Sequence, residues 1–317
     1  MAALAAGLCV AAQSGVAIAD THESASQRAV LVTGASSGIG RKITEVLAEE
    51  GHFVYAGARK QKDIDALNAI DNVQAVRLDV TIQEDIDAAV ATVRAGGRGL
   101  WGLVNNAGVC CGGPMIEHSV EEVQWLFDVN VFGVYRVTQA FAPMIIESQG
   151  RITTIGSIAG ILSGPFWGPY GMSKHAIEAY ADTLAMELYR FGVGVSVIEP
   201  GNYNSELARS AAARRGELTD AQKASPYAEF YASQLEETGD RSHFKEPDEV
   251  ADAALHALFD DNPKLRYMVV PNREEAGWTI SKMIRETVQL NEGQPHAFSR
   301  DEIIEMLDAA MGVSADE

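Results

Sequence analysis

The sequence predicts an α/β fold, a single doubly wound parallel sheet of seven strands with helices on both faces. Three observations predict it. Short apolar runs alternate with longer segments of helical spacing, the rhythm of an α/β domain. The runs are nearly continuous in apolar residues, as befits strands buried on both faces. The intervening segments are long enough for the helical crossovers that join parallel neighbours.

Taken in order, the first strand is expected at Ala29–Thr33, followed by a helix over Ile39–Glu50. Strands at Phe53–Ala58 and Val73–Leu78 flank a short helix, Ile64–Ala69. A helix over Ile82–Arg94 leads to a strand at Leu100–Asn105, and a long one over Val120–Ile146 leads to Arg151–Ile155. Tyr170–Phe191 is helical and precedes the strand Val193–Ile198; Asp248–Leu258 precedes the last strand, Arg266–Val270. Residues 28–317 are thus expected to form one domain. Between the sixth strand and its helix, residues 202–246 are polar and Ala-rich. Structureless loops of that length are uncommon, so the segment reads as one or two mobile helices acting as a lid. The tail has helical stretches at Ala276–Leu290 and Arg300–Ala310, split by the turn-like Asn291–Pro295.

Composition narrows the function. Apolar residues make up 47% and charged residues 22% of the 317 residues, which excludes wholesale disorder and coiled-coil architecture. Twenty-five Lys and Arg against 44 Asp and Glu give a net charge of −19. Such a surface repels phosphate backbones and anionic headgroups, so neither nucleic acid nor a membrane surface is an expected partner. Cys9, Cys110 and Cys111 form no disulfide framework and lack metal-site spacing. The seven histidines (22, 52, 118, 175, 243, 256 and 296) are scattered and form no H-E-x-x-H, so no metal site is expected. Residues 1–27 read as an extension. Their apolar run lacks a positive start and is interrupted by Gln13, Ser14 and Gly15, a weak export signal and a poor membrane span. A cytoplasmic location is expected.

The first strand runs into Gly34-Ala35-Ser36-Ser37-Gly38-Ile39-Gly40 and then an amphipathic helix. Glycines let the backbone approach a pyrophosphate, and a helix N-terminus offers free N–H groups. The spacing G-x-x-x-G-x-G differs from G-x-G-x-x-G. About 20 residues on, where an acid would favour NAD(H), the second strand ends in Arg59 and Lys60. A guanidinium pairs with a 2′-phosphate, so NADP(H) is expected over NAD(H), which stays the alternative.

Tyr170 and Lys174 lie four apart, on one helix face. A phenol is a poor acid–base at neutral pH, and a nearby cation favours its phenolate. Ser157 follows a strand at the end where parallel sheets place ligands, and could bond a substrate oxygen. No G-x-S-x-G surrounds it, so it does not read as a nucleophile. Asn130 is a polar amide inside a predicted helix; holding a water and an ordinary helix hydrogen bond both remain open.

Together, Thr33–Gly40, Asn105-Asn106-Ala107-Gly108, Asn130, Ser157, Tyr170-Gly171-Met172-Ser173-Lys174 and Pro200-Gly201 resemble the motif set of the short-chain dehydrogenases/reductases. The match in order and spacing spans about residues 28–270. Val54–Arg59 and the Tyr170 helix are similar to the retinol and 17β-hydroxysteroid dehydrogenase branch. The resemblance implies a Rossmann-type sheet and metal-independent hydride transfer between NAD(P)(H) and an alcohol or ketone. It implies Tyr170 as general acid/base, Lys174 lowering its pKa and bonding the nicotinamide ribose, Ser157 orienting the substrate oxygen, and Asn130 holding a relay water. It also implies Asp79 and Val80 at the adenine, Asn106, Ala107 and Gly108 beneath it, and Pro200, Gly201 and Ser205 at the carboxamide. Gly156, where the family often has Ser, is expected to matter little. Dimers or tetramers through the helices at 120–146 and 170–191 are implied as well. Phe166 and Trp167 could wall an apolar substrate site or simply pack a loop. The substrate reading is a hydrophobic secondary alcohol or ketone; the rival is a catalytically silent NADP(H)-binding regulator.

Overall fold

A computed structural model describes residues 27–312; the expected N-terminal extension, with Cys9, lies outside the described residues apart from Gln27. All seven strands are parallel and lie in the order β3-β2-β1-β4-β5-β6-β7. On one side of the strand-order reversal lie β1 (Ala29–Val32), α1 (Gly38–Glu49), β2 (Phe53–Ala58), α2 (Gln61–Leu67), β3 (Val73–Arg77) and α3 (Gln83–Ala95). The chain then crosses to β4 (Gly102–Asn105), α4 (Val120–Phe127), α5 (Gly133–Ser148) and β5 (Arg151–Ile155). α6 (Gly168–Leu188) leads to β6 (Gly194–Pro200). Three short helices follow, α7 (Glu206–Arg214), α8 (Asp220–Lys223) and α9 (Ala228–Glu236). α10 (Asp248–Phe259), β7 (Arg266–Val269), α11 (Arg273–Asn291) and α12 (Arg300–Met311) complete the described chain.

The pleat sorts the core into two layers. Val30 and Val32 of β1 face a cluster with Ile43 and Leu47 of α1 and Val250, Ala254 and Leu258 of α10. Ala29 and Leu31 point the other way, into a cluster with Ile86 of α3 and Val137, Phe141 and Ile145 of α5. Ile177 and Ala181 of α6 pack on Val197 of β6. Burial on both faces is the reason the strands lack polar alternation.

Two expectations need correction. The helix expected over Val120–Ile146 is broken by a π turn at Asp128–Phe132, so Asn130 sits in a widened turn rather than a regular helix. The segment after β6 holds three short helices, not one or two. Elsewhere the differences are at element ends: β4 starts at Gly102, and β6 runs on to Pro200. Among the described residues, no helix is long and apolar enough to cross a membrane.

Candidate active site

The C-terminal ends of the strands open onto a continuous cavity of about 1390 Å³. The switch point between β1 and β4 lies beneath it, the place where such sheets bind ligands. All of the expected dinucleotide residues line it, as do Ser157, Tyr170 and Lys174. Asn130 does not; it stands behind the wall.

At one end, Gly34 and Gly38 adopt positive φ, which permits the tight turn into α1. A Cβ on Gly40 would overlap the Asn106 side-chain amide and the Gly34 carbonyl. Asn106 explains the close approach: its Nδ2 donates to the Thr33 carbonyl (2.9 Å) and the Gly34 carbonyl (3.1 Å). The Thr33 hydroxyl accepts in return from the backbone N–H of Asn106 (2.9 Å) and of Ala107 (3.0 Å). The turn and the β4 loop are therefore one stapled unit. Ser37 caps α1 without a side-chain hydrogen bond, which leaves the first-turn N–H groups facing the cavity. Ser205 likewise caps α7 with its hydroxyl uncommitted, and its Cβ is 3.5 Å from where a Gly38 Cβ would stand. A cradle of bare backbone, free amides and free hydroxyls fits a dinucleotide.

Arg59, 62% exposed along its side chain, lies 3.6 Å from Asp79. Burial pushes the Asp79 carboxyl upward, but hydrogen bonds from Thr81 and the charge of Arg59 outweigh it and hold the group below its usual range. Lys60 and Lys62 line the same end.

Tyr170 and Lys174 project from the first turns of α6, where Pro169 near the helix start is tolerated. The Ser157 hydroxyl lines the cavity with Tyr170 and donates to the Pro200 carbonyl at 3.5 Å. Ser157 also accepts from the Ala159 N–H at 3.1 Å, which fixes its oxygen. The Lys174 ammonium, 7% exposed, donates to the Ile155 carbonyl at 2.8 Å and lies 5.7 Å from the Tyr170 ring centre. In the chain alone burial dominates both groups. It pushes the Tyr170 phenol up to about 12, against the lowering influence of the nearby Ser157 hydroxyl. It brings the Lys174 ammonium down to about 8, against the charge of Glu178. Desolvation thus outweighs the lowering influences on the phenol, which come from Ser157 and Arg241.

The Asn130 amide is already spent. Its Oδ1 accepts from the Val109 N–H (2.8 Å), and its Nδ2 donates to the Val109 carbonyl (2.9 Å) and the Ser173 hydroxyl (3.0 Å). It ties the β4 loop to α6.

Sequence reasoning missed a cluster behind Lys174. Glu178 follows it by one turn and meets the Glu199 carboxyl of β6, which is 2% exposed. Arg266 of β7 lies 3.4 Å from each carboxyl and 2.8 Å from Asp182. Burial, and then their mutual proximity, hold the Glu199 carboxyl well above the ordinary range. Gly156 lies flush against this pair: a Cβ there would sit 2.9 Å from Glu178 Oε1. The absence of a side chain at 156 thus matters more than the sequence suggested. The only sequence signal was Glu178 at the same four-residue step that links Tyr170 to Lys174.

The segment after β6 lines the outer cavity with residues from Asn202 to Arg214. Phe166, at φ 67°, stacks on Phe230 of α9 with ring centres 4.1 Å apart, and Tyr227 meets its edge. Trp167 and Trp278 of α11 also line this end, as do Arg214 and Arg241; Trp278 and both arginines were not foreseen. Burial pushes the free thiols of Cys110 and Cys111 up to about 11 and about 12, so both are poor nucleophiles. Among the described residues, no group of three or more His, Cys, Asp or Glu is placed to hold a metal ion.

Residues 28–216 match the family model described as short chain dehydrogenase. The chain is 36% identical over 196 residues to the mitochondrial D-beta-hydroxybutyrate dehydrogenase of Mus musculus, covering 58% of this chain but only 57% of that protein's length. It is 34% identical over 262 residues to retinol dehydrogenase 16 of Rattus norvegicus, covering 78% of this chain and 80% of that one. Among solved structures it is similar to a short chain dehydrogenase/reductase from Burkholderia phymatum in complex with NAD. That likeness has a TM-score of 0.71 at 26% identity and covers 86% of this chain and 98% of the other.

Proposed function

The chain belongs to the short-chain dehydrogenase family, and from that premise we propose that it transfers hydride between a nicotinamide dinucleotide, NADP(H) in preference to NAD(H), and a hydrophobic secondary alcohol or ketone. The observation that carries this is the meeting of Ser157, Tyr170 and Lys174 with the glycine-rich turn in one cavity.

The backbone from Gly34 to Gly40, with Ser36, Ser37 and Ile39, would hold the pyrophosphate. Arg59 would meet a 2′-phosphate, Asp79 and Val80 the adenine edge, and Asn106, Ala107 and Gly108 its face. Pro200, Gly201 and Ser205 would hold the carboxamide, and Lys174 the ribose beside it. The dinucleotide, when bound, supplies or takes up the hydride. Tyr170 hands its phenolic proton to the carbonyl oxygen during reduction and recovers it during oxidation. Ser157 donates to that same oxygen and stabilises charge developing there. Lys174 offsets the negative charge left on the phenol and so brings its pKa back from the high value that burial imposes. Asn130 would hold a relay water at its main-chain carbonyl. The segment from 202 to 246 closes over the substrate, and Phe166, Trp167 and Trp278 give the outer site its apolar walls. The exposed apolar residues Phe132, Tyr135, Met186 and Tyr189, on or beside α5 and α6, suit a homodimer or homotetramer.

Absorbance at 340 nm with both dinucleotides and a panel of ketones and alcohols tests the reading. Tyr170→Phe is expected to keep dinucleotide binding and lose about 10²–10⁴ in turnover. A wild-type protein that binds NADPH but oxidises it with no carbonyl compound would be a silent binding protein instead.

A further inference from the structure

We propose that the cavity contains an anion subsite, built on Arg241 with Arg214 at its rim, which takes the carboxylate end of an otherwise apolar substrate. The proposal rests on the hydride-transfer reading of the same cavity and narrows its substrate class.

The charges lining the cavity run against those of the chain. Six cationic side chains (Arg59, Lys60, Lys62, Lys174, Arg214 and Arg241) face three carboxylates (Asp63, Asp79 and Glu206), whereas the whole chain carries −19. Four of the cations have other work. Arg59, Lys60 and Lys62 stand at the adenosine end, and Lys174 donates to the Ile155 carbonyl. Glu206 is paired with Arg209. Arg214 and Arg241 are left over, at the substrate end.

Their hydrogen bonds all go to neutral acceptors. Arg241, half-buried, donates from Nε to the Tyr203 carbonyl (3.0 Å) and from one terminal nitrogen to Asn202 Oδ1 (2.9 Å). Arg214 donates to the Cys110 carbonyl (2.6 Å) and lies over the Trp125 ring at 4.8 Å. Among the described residues neither is within ion-pair distance of a carboxylate, and each keeps N–H donors in reserve. A planar guanidinium with an open edge matches a carboxylate bidentately, and partial burial strengthens that bond. Arg241 and Tyr170 line the same cavity, so an anion seated on the guanidinium shares that space with the reacting oxygen. Phe166, Trp167 and Trp278 line that cavity as well. A ligand with an apolar body, one carboxylate and one carbonyl or hydroxyl group satisfies all three features.

Direct binding tests this without turnover. Octanoate and its neutral isostere octanamide are titrated calorimetrically into the NADPH-loaded protein at low ionic strength. Octanoate is expected to bind at least tenfold more tightly, Arg241→Met to bring the ratio to near one, and Arg214→Met to reduce it less. Unchanged octanamide affinity in Arg241→Met would show the cavity intact. Equal binding of the two probes by the wild type overturns the proposal, whether or not the variants fold. So does a preference that survives Arg241→Met, or a variant that loses NADPH affinity instead, which would assign the guanidinium to the dinucleotide phosphates. Failure of the hydride-transfer reading would show separately, as absent turnover at 340 nm.

Discussion

Lys174 and Glu178 lie one turn apart on α6, so the buried ammonium has a carboxyl immediately behind it, and that carboxyl in turn meets Glu199. The negative charge of Glu178 opposes the lowering that burial imposes on the Lys174 ammonium. Glu178→Gln removes it, and the lysine pKa falls further below about 8. A neutral lysine no longer favours the phenolate. The acid limb of kcat/KM for alcohol oxidation is expected to move to higher pH by about one unit, a tenfold loss on that limb. A pH–rate profile from 6 to 10 checks this; an unmoved limb would mean that Glu178 serves packing alone.

Glu199 makes a prediction about stability. Its folded pKa is raised, so the folded state holds a proton that the unfolded chain releases in the ordinary carboxylate range. Stability attributable to this group is therefore greatest at acid pH and is lost as pH rises through the raised value. Glu199→Gln, neutral at every pH, should gain melting temperature relative to wild type as pH is raised from 5 to 8. Differential scanning calorimetry across that range reads the trend, and a constant difference would contradict it.

Gly156 tests the fit against the same pair. Gly156→Ala places a methyl 2.9 Å from Glu178 Oε1 and 3.0 Å from Val197 Cγ2. Overpacking of this kind costs about 1–3 kcal/mol, and thermal unfolding should show it. Gly156→Ser should recover part of the loss, because its hydroxyl can donate to a Glu178 oxygen that has no partner among the described residues.

Dinucleotide choice turns on Arg59. Arg59→Asp puts a second carboxylate beside Asp79, where a 2′-phosphate would be repelled. The ratio of NADPH to NADH affinity should fall by at least tenfold in fluorescence titration. An unchanged ratio would leave Arg59 as a solvated pair for Asp79.

The Phe166–Phe230 stack joins the loop before Tyr170 to α9. Such pairs are worth about 0.5–1.5 kcal/mol beyond their burial. Phe230→Ala should raise KM for substrate several-fold and leave NADPH affinity alone. A change in NADPH affinity of the same size would mean that α9 closes over the dinucleotide rather than over the substrate.

The sheet and the inner site were legible in the sequence because both obey local rules. Apolar runs such as Phe53–Ala58 can only be buried on two sides, and the glycines before α1 announce a turn that a side chain would block. What was illegible depends on distant residues meeting. Glu178 and Glu199 are unremarkable acids until β6 lies against α6. Arg241 is one charge in a polar stretch until it folds back on Tyr203. Asn130 could be placed near the site, but its bond to Val109 needed the π turn, for which the sequence carries no pattern.

The π turn at Asp128–Phe132 also limits how the gene can change. Closing it into a regular α-helix with the same residues would swing everything downstream in α5 by about 100°, because a π turn holds one residue more than an α turn; only the loss of one residue there would restore the register. Val137, Phe141 and Ile145 would then face water instead of the sheet. That stretch ties its length to its type of turn, whereas the polar run between β6 and α10 carries no such constraint and is where insertions should accumulate among descendants.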